Sequence, residues 1–426
     1  MARELSVALI GIGGYGGVYA SALLNAAAPN GHRLVAAVDP FPEASGHLPE
    51  LTARNIPVYR SVEELYAGSN PARPDLVIVS SPIHLHARHT VAALVNGSNV
   101  LCEKPLCVTP QQASKMLQAR DASGLQVSIG YQWSFSPAIQ QLKRDVIAGD
   151  LGEPRRLTTM VLWPRDEMYY RRNKWAGKLY TGQGHPVFDS PVNNACAHYL
   201  HNMLYVLGDR TETSAVPARV TAELYRANGI ETYDTAALRC WTERDVEIVF
   251  LVSHATRQSR GPVFRYEFSN AQVVYDEEAD GQIVARFKDG SIRNYGKPPG
   301  GADMGKLWAT IESLRAGTPP VCGIEAALPQ MQVVCAAQQS TTDPVSFPAS
   351  LVRVEGDPGS RRTWVNGLED AMTLCYERAC LPSECGLEWS APAREVPIPT
   401  SGEPDSDLAS EDPWATEPRR HARTLG

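Results

Sequence analysis

LSVALIGIGGYGGVYASALLNAAAPNGHRLVAAVD, residues Leu5 to Asp39, sets down an apolar run, a glycine cluster, an Ala/Leu-rich segment, a break and a second apolar run. Val7 to Ile10 reads as a strand, and Gly11, Gly13 and Gly16 follow it in G-x-G-x-x-G spacing. The Ala/Leu-rich segment reads as a helix stopping at Pro29-Asn30-Gly31, and Leu34 to Val38 as a second strand ending on Asp39. In such an order the first glycine permits a tight turn, the second lets backbone approach a pyrophosphate, and the third lets helix pack on strand. The phosphates then lie at a helix N-terminus. Asp39 stands where a carboxylate accepts both hydroxyls of an adenosine ribose, which favours NAD over the 2'-phosphorylated NADP. Glycine spacing alone is common in Gly-rich turns, but here the strand before, the helix after and the acid at the next strand end agree with it. The expected dinucleotide contacts are Gly11, Ile12, Gly13, Gly14, Tyr15, Gly16 and Asp39.

At 426 residues the chain has room for two domains and an appendage. A hydrophobic share of 43% and a charged share of 20% describe an ordinary globular protein. The formal net charge of -7 gives no basic surface for nucleic acid or an anionic membrane, so neither is an expected partner and small ligands remain. Nine cysteines without a repeating spacing, several inside apolar runs, fit free thiols in a reducing compartment. Cys375, Cys380 and Cys385 recur at five-residue intervals but have no C-x-x-C pair or neighbouring histidine, so no metal is expected. Arg3 before an apolar stretch resembles a signal peptide, yet Glu4 and five glycines between positions 11 and 17 spoil that pattern. No run is long enough to span a membrane, and a cytoplasmic location is the expectation.

Outward from the opening stretch, Asp75 to Ser80 is an uninterrupted apolar strand of the kind buried on both faces of a parallel sheet. Its end, Ser81-Pro82-Ile83-His84-Leu85-His86, leads into a helix over Ala87 to Asn96. Ligands of open α/β sheets lie beyond the strand carboxyl ends, which puts Ser81, Pro82 and His86 at the cofactor crevice. Asn99 to Cys102 is a further strand running into Glu103-Lys104-Pro105, where proline holds Lys104 out of a helix at the strand end. Pro110 to Ala122 and Ala138 to Ala148 read as helices, with a strand at Gln126 to Gly130. From Arg155 period-two alternation appears in six segments between Arg219 and Phe287, indicating a mainly antiparallel sheet, with helices at Met304 to Ala316 and Ala326 to Ser340 at its end. The expected fold class is α/β: a doubly wound parallel domain over residues 1–130 and an α+β domain with a large open, mainly antiparallel sheet over 131–350. An extension over 351–390 and a flexible tail over 391–426 follow.

Pro191 to Gly208 reads as a helix with proline in its first turn and glycine after its last. Asn194, His198, His201 and Tyr205 share one face of it, a set without Lys or Glu that suits a cavity lining better than a solvated stripe. Trp163-Pro164-Arg165 and Tyr169 to Trp175 mix aromatics with cations, either as a surface loop or as a sugar-stacking site with a cation for a carboxylate or phosphate.

Together, the GIGGYGG loop, Asp39, the Ser81-Pro82-x-x-x-His86 turn, Glu103-Lys104-Pro105 and Asn194-x-x-x-His198 before Leu207-Gly208 resemble the glucose-fructose oxidoreductase and inositol dehydrogenase (Gfo/Idh/MocA) family over roughly residues 5–345. The resemblance implies a Rossmann domain followed by an open-sheet domain, the nicotinamide between them, and NAD(P)-linked oxidation of a secondary hydroxyl on a sugar, polyol or derivative. It implies catalytic roles for Lys104, His198 and Asn194, with His198 as base and Lys104 as the cation beside the developing alkoxide. Glu103 and Lys104 join the cofactor contacts, and Trp163, Arg165, Tyr170, Trp175 and His201 are the expected substrate contacts. Asn194 stands where members commonly carry Asp, so His198 is expected to titrate near its ordinary value. A homodimer or homotetramer through the open sheet is implied. The alternatives are a cofactor-retaining glycosidase or epimerase of the same family and a non-catalytic nucleotide-binding regulator.

Overall fold

Two apolar patterns separate the chain into two sheets. The computed structural model describes residues 4–25, 31–67, 73–300, 303–341 and 343–399. In the first half the strands are β1 (Leu5–Ile10), β2 (His32–Val38), β3 (Val58–Tyr59), β4 (Leu76–Val79), β5 (Asn99–Cys102) and β6 (Val127–Ile129). They form a parallel sheet in the order β3-β2-β1-β4-β5-β6, the doubly wound arrangement. Every residue of β4 is buried, as expected for a strand covered on both faces. The crossovers are helices α1 (Tyr15–Leu24), α2 (Leu48–Ala53), α3 (Val62–Tyr66), α4 (His86–Val95) and α5 (Pro110–Ser123), and α6 (Pro137–Ala148) leads out. The expected helix stop at Pro29-Asn30 lies outside the described residues; α1 itself ends at Leu24.

The second sheet has ten strands. Its first, β7 (Pro154–Leu162), is followed by the short helix α7 (Glu167–Arg171) and by α8 (Ala197–Val206). Then come β8 (Pro217–Arg226), β9 (Thr235–Thr242), β10 (Glu247–Ser253), β11 (Arg260–Phe268), β12 (Ala271–Asp276), β13 (Ile283–Phe287) and β14 (Ile292–Gly296). After helices α9 (Gly305–Ala316) and α10 (Ile324–Ser340), the edge strand β15 (Val345–Ser346) completes the order β14-β13-β12-β11-β7-β10-β9-β8-β15. Pairing is antiparallel except for β10 on β7 and β15 on β8.

Alternation in the central strands sends side chains to two different cores. Ile248, Phe250 and Val252 of β10 face the core shared with α8, α10 and the Rossmann helices, while Val249 and Leu251 face the other side. That other side is not open. Strands β16 (Val352–Glu355) and β17 (Arg362–Val365) and helix α11 (Leu368–Arg378) lie across it. Phe347, Val365, Leu368, Met372 and Cys375 pack there against Met160, Leu162, Val249 and Leu251. The face through which an oligomer was expected is thus covered by the chain's own extension over β7, β10 and β9. The tail expected from position 391 is not seen over 391–399: β18 (Glu395–Pro397) pairs antiparallel with β8, because Val396 and Ile398 supply apolar surface that the edge buries. Residues 400–426 lie outside the described residues.

Helix α9 departs from its expected place at the end of the second sheet. Met304, Leu307 and Ile311 pack against Val7, Leu9, Tyr19 and Ile78, so it covers the Rossmann sheet. Among the described residues no helix is long and apolar enough to cross a membrane.

Candidate active site

At the carboxyl ends of β1, β4 and β5 three turns converge. Each strand hands its ladder on by one residue: Ser80 N–H donates to Ile10 O (2.8 Å), Glu103 N–H to Val79 O (2.8 Å) and Gly130 N–H to Cys102 O (2.7 Å). The glycine loop is packed from below and open above. A Cβ on Gly16 would meet Gly11 O at 2.0 Å, whereas a Cβ on Gly13 would meet nothing within 4 Å. The first is the close approach that seats α1, and the second is the exposed backbone that a pyrophosphate needs. Gly14 and Tyr15 are exposed beside it, so the residues present fit a dinucleotide. The Ile12 side chain is buried, and its N–H donates to Asp39 Oδ2 (3.0 Å) while Phe41 N–H donates to Asp39 Oδ1 (2.9 Å). Asp39 therefore ties the glycine loop to the end of β2 and keeps free lone pairs for hydroxyl donors.

Ser81 and the exposed Pro82 form the crevice rim, but His86 lies behind it. Its ring is wedged between Pro105 O (2.7 Å) and Ser81 O (2.9 Å) and is fully buried, so it braces the two turns and is not a cofactor contact. Glu103 is likewise internal. It accepts from Tyr19 Oη (2.6 Å) and pairs with the buried ammonium of Lys306 from α9. Lys306 Nζ also stands 4.6 Å from the centre of the Tyr15 ring, so one buried cation touches both the E-K-P turn and the glycine loop.

Lys104 points the other way, into the space between the two sheets. Its Nζ donates to Asn194 O (2.7 Å) and Oδ1 (3.3 Å). Burial is the main cause that lowers its pKa to about 8, with Lys306 adding to the effect and Glu103 opposing it. Asn194 is not helical: residues 191–196 form turns and α8 begins at Ala197, because Asn193 Nδ2 bonds Val187 O (3.3 Å) and Phe188 O (3.2 Å) and holds the chain back. The four-residue polar face is accordingly broken up. His198 is half-buried against the edge of the Tyr131 ring (5.8 Å), and its Nδ1 has no hydrogen-bond partner. His201 stacks flat on Tyr131 (3.8 Å) with Nε2 against Ser134 Oγ (2.9 Å), and Tyr205 is buried beside it. His201 is a core residue and not a substrate contact.

The expectation that His198 titrates near its ordinary value also fails. Burial first, then the Lys104 and Lys306 cations, hold it well below that value, so it is neutral at physiological pH.

Behind Asn194 lies a carboxylate that sequence reasoning missed. Asp189, 3% exposed, accepts from Asn194 Nδ2 (2.7 Å), Gly177 N–H (2.8 Å) and Arg172 Nη2 (3.1 Å). The Arg172 guanidinium in turn covers the Tyr169 ring (3.8 Å) and faces Trp175 (5.4 Å). Trp175 packs on Ile83, Val108 and Val187, which fastens this loop to the Rossmann sheet. Arg165 lies 4.9 Å from the Tyr169 ring and 5.7 Å from Trp163, and it makes no ion pair among the described residues. The Tyr170 hydroxyl is buried without a partner, and Trp163 is half-buried with Nε1 donating to Gly261 O (2.9 Å). His254, also unforeseen, donates from Nδ1 to Trp163 O (2.8 Å) and is pushed down to about 3 by burial and then by Arg165.

A doubly wound domain with an open glycine loop thus meets, at Lys104, a second domain built on a ten-stranded sheet. Residues 5–131 match the sequence model of the oxidoreductase family with an NAD-binding Rossmann fold, Gfo/Idh/MocA. A D-glucoside 3-dehydrogenase of Escherichia coli (strain K12) is 40% identical over 81 residues, 19% of this chain and 23% of that protein. An inositol 2-dehydrogenase of Saccharopolyspora erythraea is 31% identical over 218 residues, 51% of this chain and 57% of that protein. The chain thus spans less than two thirds of the curated relatives it matches. Among solved structures, the WlbA dehydrogenase of Bordetella pertussis, in complex with NADH and UDP-GlcNAcA, superposes with a TM-score of 0.64 at 20% identity. That match covers 80% of this chain and 97% of that one and speaks to the fold.

Proposed function

We propose that the protein is an NAD-dependent dehydrogenase acting on a secondary hydroxyl of a sugar, polyol or sugar derivative that carries a carboxylate or phosphate. The observation carrying this reading is Lys104, an ammonium lowered to about 8 and held between the two sheets, beyond the carboxyl end of β5, by Asn194. NAD, when bound, supplies the hydride acceptor. The alcohol must also lose its hydroxyl proton, and a group with a pKa near working pH does this best. Lys104 Nζ meets that condition and takes the proton. His198 is too weak a base for the task, but as a half-buried neutral ring it can hydrogen-bond the hydroxyl and orient it. Asp189 acts through Asn194, fixing the amide that grips Lys104.

The anionic group is argued from Arg165, whose guanidinium sits among Trp163, Tyr169 and His254 without a carboxylate. The aromatic rings offer a sugar face and the guanidinium a charge-assisted partner. A panel of sugars, cyclitols and their acid and phosphate derivatives, followed by NADH absorbance, tests the reading. NADH formation with an acidic member supports it; product without NADH would point to internal return of the hydride, and no turnover with tight NAD binding would point to a regulator. Arg165→Met should raise KM for an anionic substrate by about 10- to 100-fold, as for loss of a hydrogen bond to charge, and change kcat far less.

A further inference from the structure

The extension carries a second cluster that the dehydrogenase reading does not use. Cys375 sits in the last turn of α11, fully buried; Cys380 and Cys385 lie in the loop that follows, half-buried. The three Sγ atoms lie within 4.8 Å of one another. Cys380 and Cys385 are joined as a disulfide, unlike the seven other cysteines, and Cys375 Sγ stands 3.9 Å from Cys385 Sγ. A disulfide needs two sulfurs, and this site supplies a third.

The loop is held in shape by groups other than the sulfurs. Ala379 adopts the left-handed conformation (φ 51°) and closes α11, with Cys380 N–H donating to Cys375 O (3.0 Å). Glu384 pairs with Arg239 (Nη2 to Oε2, 2.8 Å) and accepts from Leu381 N–H (2.9 Å). On the opposite side Glu223 accepts from Ser383 N–H (3.1 Å) and from the Ser383 hydroxyl. Two anchors to the large sheet therefore fix residues 379–385 whatever the oxidation state of the cysteines. A tetrahedral zinc centre with Zn–S bonds of about 2.3 Å sets its sulfurs about 3.8 Å apart, close to the Cys375–Cys385 separation.

We propose that Cys375, Cys380 and Cys385, in their reduced form, bind one thiophilic divalent cation, zinc by its ligand chemistry, with the fourth position open to water. Reaching that form takes two electrons and two protons from a thiol or phosphine reductant, which convert the Cys380–Cys385 disulfide to two thiols. Metal binding then releases the thiol protons to solvent. The bound cation would join the end of α11 to the loop that Glu223 and Arg239 hold on the sheet. Because the cation displaces the thiol protons, uptake should weaken as pH falls.

The test uses the full chain reduced with a phosphine, freed of reductant without oxygen, and titrated with Co²⁺ and with Zn²⁺. One equivalent per chain, a sulfur-to-cobalt charge-transfer band and a melting temperature several degrees higher with zinc are expected. Cys380→Ser with Cys385→Ser, both half-buried in the loop at the edge of the cluster that α11 packs into, should abolish all three, and Cys107→Ser should abolish none. Cys375→Ser should weaken binding at least tenfold. The proposal is overturned if the chain binds no cobalt although alkylation counts all three thiols free, if phosphine leaves the disulfide intact in the folded chain, or if the double variant still takes up one equivalent.

Discussion

Lys104 governs the pH dependence expected of the proposed reaction. A lysine whose pKa is lowered to about 8 is protonated below that value and cannot accept the alcohol proton there. Alcohol oxidation should therefore rise with pH through about 8, and carbonyl reduction should fall over the same range. A rise complete well below 8 in the pH profile of kcat/KM would take the base role from Lys104 and return it to His198. Lys104→Met should cost roughly 10² to 10⁴ in turnover while NAD binding survives, because Asp39 and the glycine loop are untouched. Asp39→Ala should narrow the preference for NAD over NADP; equal or better NADP binding by the unaltered chain would remove that role from Asp39. Lys104, Asp39 and the half-buried His198 were legible because short sequence neighbourhoods place them. Asp189 and Lys306 were not: Lys306 meets Glu103 across 203 residues, and no spacing rule reaches that far.

The glycine loop gives the element scale a paired test. Gly16→Ala drives a methyl into Gly11 O at 2.0 Å, against backbone that cannot turn aside, so the chain should lose stability or fail to fold. Gly13→Ala meets nothing within 4 Å and should fold normally, yet bind NAD much more weakly. Calorimetry of the melting transition and of NAD binding separates the two; weak binding with normal melting for both variants would refute the packing role of Gly16. Elements built on continuous apolar runs, such as β4 and β10, were readable because burial on both faces leaves no polar position to blur them. Segment 191–208 was misread at its start, since its helical pattern is overridden by the Asn193 amide bonding two upstream carbonyls. Extension 351–390 was opaque, its apolar residues being too sparse to announce the sheet face they cover.

At the scale of the whole molecule, acid should destabilise the fold through its histidines. His84, His86, His89, His198, His201 and His254 are all lowered, chiefly by burial. A histidine lowered in the folded state contributes its full stability above about 6.5, its unfolded value, and loses it as pH falls, by at most about 1.4 kcal/mol per pH unit each. The melting temperature at pH 5 should thus lie well below that at pH 7; equal values would show that the rings are charged in the native state. Chain ended after Ser346 would expose Met160, Leu162, Val249 and Leu251 together and should aggregate, as light scattering would report. The return of α9 beneath the first sheet has a different consequence, for inheritance and for engineering. A nucleotide domain cut at residue 131 would leave behind Lys306, the partner of the Glu103 carboxylate, and with it the apolar cover that Met304, Leu307 and Ile311 give the sheet. The two halves are therefore not interchangeable parts, and a chimaera that takes its first 131 residues from a relative will fold only if the donor's partner for that glutamate travels with it.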